Sequence, residues 1–266
     1  MMPVEVRRGD GPVVLGLPHT GSFLPDDIRA RLNARGRGLD DTDWHVDRIY
    51  DGLLAGASTV RATFHRYVID ANRDPEGVSL YPGQNTTGLV PLTDFDGQPI
   101  WDEAPTEAEI TARRSAFHAP YHAALAAELA RVRARHGVAI LYDCHSIRSR
   151  IPFLFEGTLP DFNIGTADGT TCDARIAAAV QAVCEAAEGY SCTVNGRFKG
   201  GWTTRHYGRP ETGIHAIQME LAQSTYLAAE AAPWTYDEDR AARLRTHLTE
   251  ILETLAELAP TLGGTS

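Results

Sequence analysis

Several features are scarce or missing in this chain, and each absence removes a class of function. Only four cysteines occur in 266 residues, at positions 144, 172, 184 and 192, and they stand singly. Without a CxxC pair, a structural zinc knuckle or a dithiol redox centre is excluded, and the four read as reduced thiols. Positive charge is in the minority, with 25 basic against 35 acidic residues and a formal charge of -10. That balance argues against nucleic acid or an anionic membrane as the main partner. No apolar run approaches the roughly 20 residues that span a bilayer. The N-terminal MMPVEVRRGD lacks a long apolar stretch behind its basic residues, so a cytoplasmic location is expected. No linker rich in Pro, Gly or Ser, no charge block and no repeat divides the chain. With 43% hydrophobic residues, it is expected to form a single domain over residues 1–266. There is also no GxSxG, which removes the serine nucleophile elbow.

What is present is an ordered set of chemically capable side chains. His19 stands in LPHTG, Asp43 and Asp47 in DTDWHVD, Asn72 and Arg73 in IDANR, His145 in YDCHS and Glu220 in QMELA. Two imidazoles and one carboxylate can hold a metal with a position left open for water, an arginine can grip an anion, and a further glutamate can move protons. Those are the parts of a mononuclear zinc amide hydrolase.

Periodicity places these residues on elements. PVVLGLP reads as a short buried strand that delivers His19 into a loop. Apolar residues recur at helical spacing from Asp41 to Leu54, which puts Asp43 and Asp47 one turn apart on one face. One of the two suffices as a ligand; the other can orient a ligand imidazole. STVRATFHRYVIDANR reads as one or two strands ending at Arg73, and Tyr81 to Trp101 as a long irregular excursion. A capping box from Thr106 to Glu109 opens a helix that runs to about His136, kinked at Pro120 and closed by Gly137. VAILYD is a fully apolar strand with His145 at its end, and Cys144 should face away from the site. Helices are expected over Asp173 to Ala187 and Asp237 to Leu258. Strands are expected at CTVNGRF and at GIHAIQMELA, and a loop at KGGWTTRHYGRP. Alternating strands and helices imply an α/β sandwich with a mostly parallel or mixed sheet.

In such sheets ligands collect outside the carboxyl ends of the strands, where His19, Arg73, His145 and Glu220 are all projected. Most of the other histidines lack that context and are expected to be structural or solvated. Arg148 and Arg150 fall in one further loop and Arg197, Lys199 and Arg205 in another, and both should meet the same sheet edge. On a chain of charge -10, this cluster of cations points to a small anionic substrate.

The chain also resembles the N-formylglutamate amidohydrolase (N-formylglutamate deformylase) family. The resemblance rests on LPHTGSFLPDDI, DTDWHVDRIYD, RYVIDANRDPEG, SLYPGQ, YDCHSIRSRIP, LPDFNIGTADG, NGRFKGGWTTRHYGRP and HAIQMELAQ. It implies a three-layer α/β sandwich of the phosphorylase/hydrolase-like, zinc-peptidase type. It further implies one zinc ion and hydrolysis of N-formyl-L-glutamate to L-glutamate and formate, the last step of a histidine degradation route. The order of parts is similar to that of zinc carboxypeptidases and aspartoacylases, with one departure. Those relatives carry the acidic ligand three residues after the first histidine, where this chain has Ser22, so the resemblance shifts that role to Asp43, with Asp47 as the alternative or as support. His19, Asp43 and His145 then hold zinc, Glu220 serves as base and acid, and Arg73 with Asn72 binds one substrate carboxylate. Lys199, Arg148 or Arg205 is left for the other. The alternatives are a deacylase for another N-acyl acidic amino acid and a metal-free binding protein of the same fold.

Overall fold

Seven strands among the described residues, β1 (Val4–Arg7), β2 (Val13–Leu17), β3 (Ser58–Ala62), β4 (Ala139–Ile147), β5 (Phe162–Gly165), β6 (Cys192–Val194) and β7 (Ile214–Ala222), make one mixed sheet in the order β1-β3-β2-β4-β7-β5-β6. The four central strands run parallel, β1 and β5 pair antiparallel with β3 and β7, and β6 is parallel to β5. The structure, a computed structural model, describes residues 2–79 and 83–262, so part of SLYPGQ and the first residues of the 81–101 excursion lie outside the described residues.

Helices cover both faces. On one side α2 (Val46–Tyr50), α5 (Ala174–Ala186) and α7 (Glu238–Leu258) pack on Val13, Leu15, Ile140, Tyr142, Ile217 and Met219. On the other, α4 (Ala119–His136) packs on Val14, Val60, Leu141 and Ala216. Two apolar layers around a buried sheet account for the continuous apolar runs of β2 and β4. The expected α/β class with a mixed sheet is what the chain forms.

Alternation along the strands then builds the site. In β4, Ile140, Tyr142 and Cys144 face the α7 side, so Asp143 and His145 face the other; in β7, Ile217, Met219 and Leu221 leave Gln218 and Glu220 on that same side. The register sets Asp143 beside Gln218 and His145 beside Glu220. Cys144 is buried behind the site, as its parity requires.

Local departures from the expected elements have identifiable causes. The helix read from Asp41 to Leu54 shrinks to α2, because His45 takes a left-handed backbone (φ 61) just before it. Asp43 therefore sits in a turn, bonded through its N–H to the carbonyl of His19 (3.1 Å), rather than on a helical face with Asp47. β3 ends at Ala62, and the path to Arg73 is a series of turns. The Gly-rich stretch expected as a loop contains α6 (Trp202–Tyr207). Two four-residue strands, β1 and β5, and the short α1 (Asp26–Arg31) were not anticipated. The capping box is present, with Thr106 accepting from the Glu109 N–H and Glu109 accepting from the Thr106 N–H, and it opens α3 (Glu107–Arg113). A single π turn over Arg114–His118 joins α3 to α4, just ahead of Pro120. Proline cannot donate to the carbonyl four residues back, so the helix widens there instead of continuing regularly.

Candidate active site

His19 leaves the end of β2, and His145 rises from β4 beside it, with ring centroids 5.0 Å apart. Between them lies Asp43, whose Oδ2 is 3.3 Å from His145 Nδ1 and 3.7 Å from His19 Nδ1. All three residues are buried, and their donor atoms lie within 4.8 Å of one another. Metal bonds of about 2.0–2.1 Å in a tetrahedral site put ligand atoms ~3.3 Å apart, so this trio has the spacing as well as the chemistry to hold one divalent cation.

Each imidazole is backed by a carboxylate on its far nitrogen. His19 Nε2 is 2.7 Å from Asp70 Oδ1, and His145 Nε2 is 3.2 Å from Asp143 Oδ1. The hydrogen bond to Asp70 keeps the His19 proton on Nε2 and leaves its Nδ1 with a lone pair toward a metal. Asp70 is in turn paired with the buried Arg66 at 2.6 Å, and Asp143 accepts from the Thr204 hydroxyl at 2.9 Å. Burial works against charge on Asp70, but Arg66, His19 and Arg73 hold its carboxyl well below the usual range. Burial likewise opposes charge on Asp43, and hydrogen bonds with His145 and His19 outweigh it and lower its pKa. His145 loses to burial and gains more from Asp143 and Asp43, so its imidazole is pushed well above the ordinary histidine value. A cation entering this site therefore displaces a proton.

Glu220 is the group in the opposite state. Burial first, then the charges of Asp43 and Asp143, push its carboxyl up to about 8, against the pull of His145 and Arg66. It accepts one hydrogen bond, from Gln218 Nε2 at 3.3 Å. A carboxyl at elevated pKa beside a candidate metal trio is suited to proton transfer near neutral pH.

These groups open onto a cavity of about 260 Å³ whose lining includes His19, Asp43, Asn72, His145 and Glu220 together with Arg66, Arg73 and Arg197. The Asn72 amide reaches His145 Nε2 (3.1 Å), while Arg73 donates to the Thr87 carbonyl and hydroxyl at 2.9 and 3.0 Å.

The profile of one protein family, described as N-formylglutamate amidohydrolase, matches residues 11–227. The chain belongs to the N-formylglutamate amidohydrolase family. It is 49% identical over 255 residues to an N-formylglutamate deformylase of Pseudomonas aeruginosa and 47% identical over 255 residues to one of Pseudomonas putida, in each case across 95% of both chains. A solved N-formylglutamate amidohydrolase from Ralstonia eutropha JMP134 superposes with a TM-score of 0.81 at 28% identity, covering 98% of this chain and 99% of that one. A gene product of Agrobacterium tumefaciens shares the fold at a TM-score of 0.72 and 21% identity.

Within the chain, the residues singled out in the sequence fall into two groups. His19, Asp43, Asn72, Arg73, His145 and Glu220 meet at one cavity. The others lie elsewhere. Asp47 is half-exposed, ion-paired with Arg61 at 3.2 Å, and lines a separate cleft. Lys199 reaches Asp168 at 3.1 Å, Arg148 reaches Asp96 at 2.9 Å, and Arg205 donates to the carbonyl of Gly200 at 2.9 Å; none of them lines the cavity. Arg150 is exposed. Sequence reasoning missed Asp70 and Arg66. The signal was present in RYVIDANR, where an acid stands two residues before Asn72 and a cation four residues before that acid.

Proposed function

We propose that this protein, acting as a single domain, hydrolyses N-formyl-L-glutamate to formate and L-glutamate with one zinc ion held by His19, Asp43 and His145. The observation that carries the reading is the register pairing of His145 with Glu220, which sets a proton-carrying carboxyl beside a buried His/Asp/His group inside an arginine-lined cavity. The close match to curated deformylases over nearly the full chain supports the substrate. Zinc suits two imidazoles and one carboxylate better than the oxygen-loving cations do.

When bound, the cation polarises the formyl oxygen, lowers the pKa of a water toward about 7 and draws Glu220 down into the range of a working base. Glu220 takes the proton from the water as its oxygen attacks the formyl carbon, then passes that proton to the amine nitrogen as the C–N bond breaks. Asp70 holds the His19 imidazole in the ligating tautomer throughout, and the Asp143 carboxylate lies beside His145 Nε2. Arg73, with Asn72, binds one substrate carboxylate. For the other we favour Arg197, which lines the cavity, over Lys199, Arg148 and Arg205, which do not. Two gripped carboxylates select a dicarboxylic amino acid, because a substrate with one carboxylate forgoes one of the two charge-assisted contacts. We place the reaction at the end of a histidine degradation route in the cytoplasm.

The test is turnover of N-formyl-L-glutamate, N-acetyl-L-glutamate and N-formyl-L-aspartate by the metal-loaded protein. N-formyl-L-glutamate is expected to be preferred, chelation to abolish activity, and Glu220→Gln to lower kcat by about 10²–10⁴-fold. Preference for either other substrate overturns the assignment, and activity that survives both chelation and Glu220→Gln overturns the mechanism.

A further inference from the structure

Outside the cavity lining, a cluster of imidazoles and aromatics packs against the turn that carries Asn72 and Arg73, and no step above uses it. His118 Nε2 lies 3.0 Å from the carbonyl oxygen of Arg73, and His122 Nε2 lies 2.8 Å from that of Ala71. A carbonyl only accepts, so each Nε2 carries the proton and donates it. Both side chains are buried, and their rings lie 4.3 Å apart, centroid to centroid. Trp202 of α6 packs against both, at 5.7 and 4.7 Å, and the Tyr207 hydroxyl is 3.1 Å from His122 Nδ1.

The turn is thereby held from two sides. The imidazoles grip its carbonyls on either side of Asn72, while α6 holds the Asn72 side chain through the Thr203 N–H, which donates to Asn72 Oδ1 at 2.8 Å. Asp70 closes the turn by accepting from the Asn72 N–H, also at 2.8 Å. The π turn over Arg114–His118 ends at the first of the two histidines. Such wide turns recur where a helix must aim side chains at a functional site, and here the aim is at the backbone of the candidate substrate-binding pair.

We propose that His118 and His122 are positioning residues for substrate binding: by holding the carbonyls of Ala71 and Arg73 they set the direction in which Asn72 and Arg73 face the cavity. This rests on the reading above that Arg73 grips a substrate carboxylate. A binding group displaced by about 1 Å can cost on the order of 10²-fold in kcat/KM, so a backbone clamp on the turn has kinetic weight although neither imidazole touches substrate. Burial, followed by the charges of His118 and His206, pushes the His122 imidazole down to about 3, and burial lowers His118 too. Burial thus favours the neutral, Nε2-donating form of both imidazoles.

Steady-state kinetics of the metal-loaded enzyme on N-formyl-L-glutamate, with metal content measured in parallel, test the clamp. His118→Phe and His122→Phe keep an aromatic ring and lose the donor; each is expected to raise KM at least tenfold while changing kcat less than threefold, with metal content unchanged. His118→Gln and His122→Gln retain an N–H near Nε2 and are expected to return KM to within threefold of wild type. In an Arg73→Ala background the Phe substitutions should add less than threefold. Should His122→Phe fail to fold, His118→Phe, which removes the hydrogen bond to the Arg73 carbonyl and keeps a ring against His122 and Trp202, carries the test. Unchanged KM in the folded Phe variants, or equal defects in Phe and Gln variants, overturns the clamp while leaving the functional reading intact. Absence of wild-type turnover sinks that reading and the clamp with it.

Discussion

Each imidazole of the candidate metal trio has a carboxylate beside its far nitrogen, and the two carboxylates differ in what removing them does. Asp70 answers both His19 and the buried Arg66, so Asp70→Asn strands a guanidinium and costs about 3–5 kcal/mol of stability. Asp143 has His145 and the Thr204 hydroxyl beside it and, among the described residues, no cationic side chain within ion-pair range other than that imidazole. Asp143→Asn is therefore the cleaner probe. It is expected to weaken zinc binding by about 10–100-fold, measured by competition with a chromophoric chelator, with a small change in Tm. Unaltered affinity would remove Asp143 from the proposed support of His145. The cations separate by the same logic. Arg197→Ala is expected to raise KM for N-formyl-L-glutamate more than tenfold. Lys199→Ala should change it less than threefold, because an exposed ion pair such as Lys199 with Asp168 is worth roughly 0–1 kcal/mol.

Among the elements, α6 is the one whose entry point matters most to the site. A Cβ on Gly201 would sit 2.2 Å from Asn72 Nδ2 and 2.5 Å from Oδ1, so only glycine lets the start of α6 lie against that amide. Gly201 has φ -77, which any residue adopts, so the requirement is one of contact and not of backbone strain. Gly201→Ala is expected to push Asn72 off the Thr203 N–H and lower kcat/KM at least tenfold; wild-type kinetics in a folded variant would show the amide to be dispensable. Element length decides how much of this could be seen in advance. β4, β7, α5 and α7 are long enough for their period or apolar run to speak for itself, and they form where the pattern placed them. In the four-residue edge strand β1 only Val4 falls below the exposed range, so it shows little of the alternation a strand pattern needs. In DTDWHVDRIYD the apolar spacing is helical, yet one left-handed residue, His45, stops the helix from forming across both acids.

At the scale of the whole molecule, the site joins residues from 19 to 220 by bringing the ends of β2, β4 and β7 together, and this explains which members were legible. His19, His145 and Glu220 ride on or just after apolar strands, so strand parity and direction predict their convergence. Asp70 and Arg66 ride on a chain of turns, and nothing in periodicity says where a turn points. Convergence also has an electrostatic consequence that can be measured on the metal-free protein. Glu220 has a folded pKa of about 8 against 4.5 for an ordinary glutamate, so the native state holds its proton more tightly than the unfolded chain does. The stabilisation this contributes is complete below about pH 4.5 and is lost as pH rises through about 8. His145, raised above its own ordinary value, adds a loss of the same sign above about pH 6.5. Asp43 and Asp70, both depressed, act only at acid pH and leave this window alone. Glutamine mimics protonated Glu220 at every pH. Thermal melts in chelator should therefore show Glu220→Gln close to wild type at pH 5 and increasingly more stable toward pH 9, keeping only the decline due to His145. Parallel melting curves across that range would mean that Glu220 is ionised in the metal-free fold, and its role as proton carrier would then lack its physical basis.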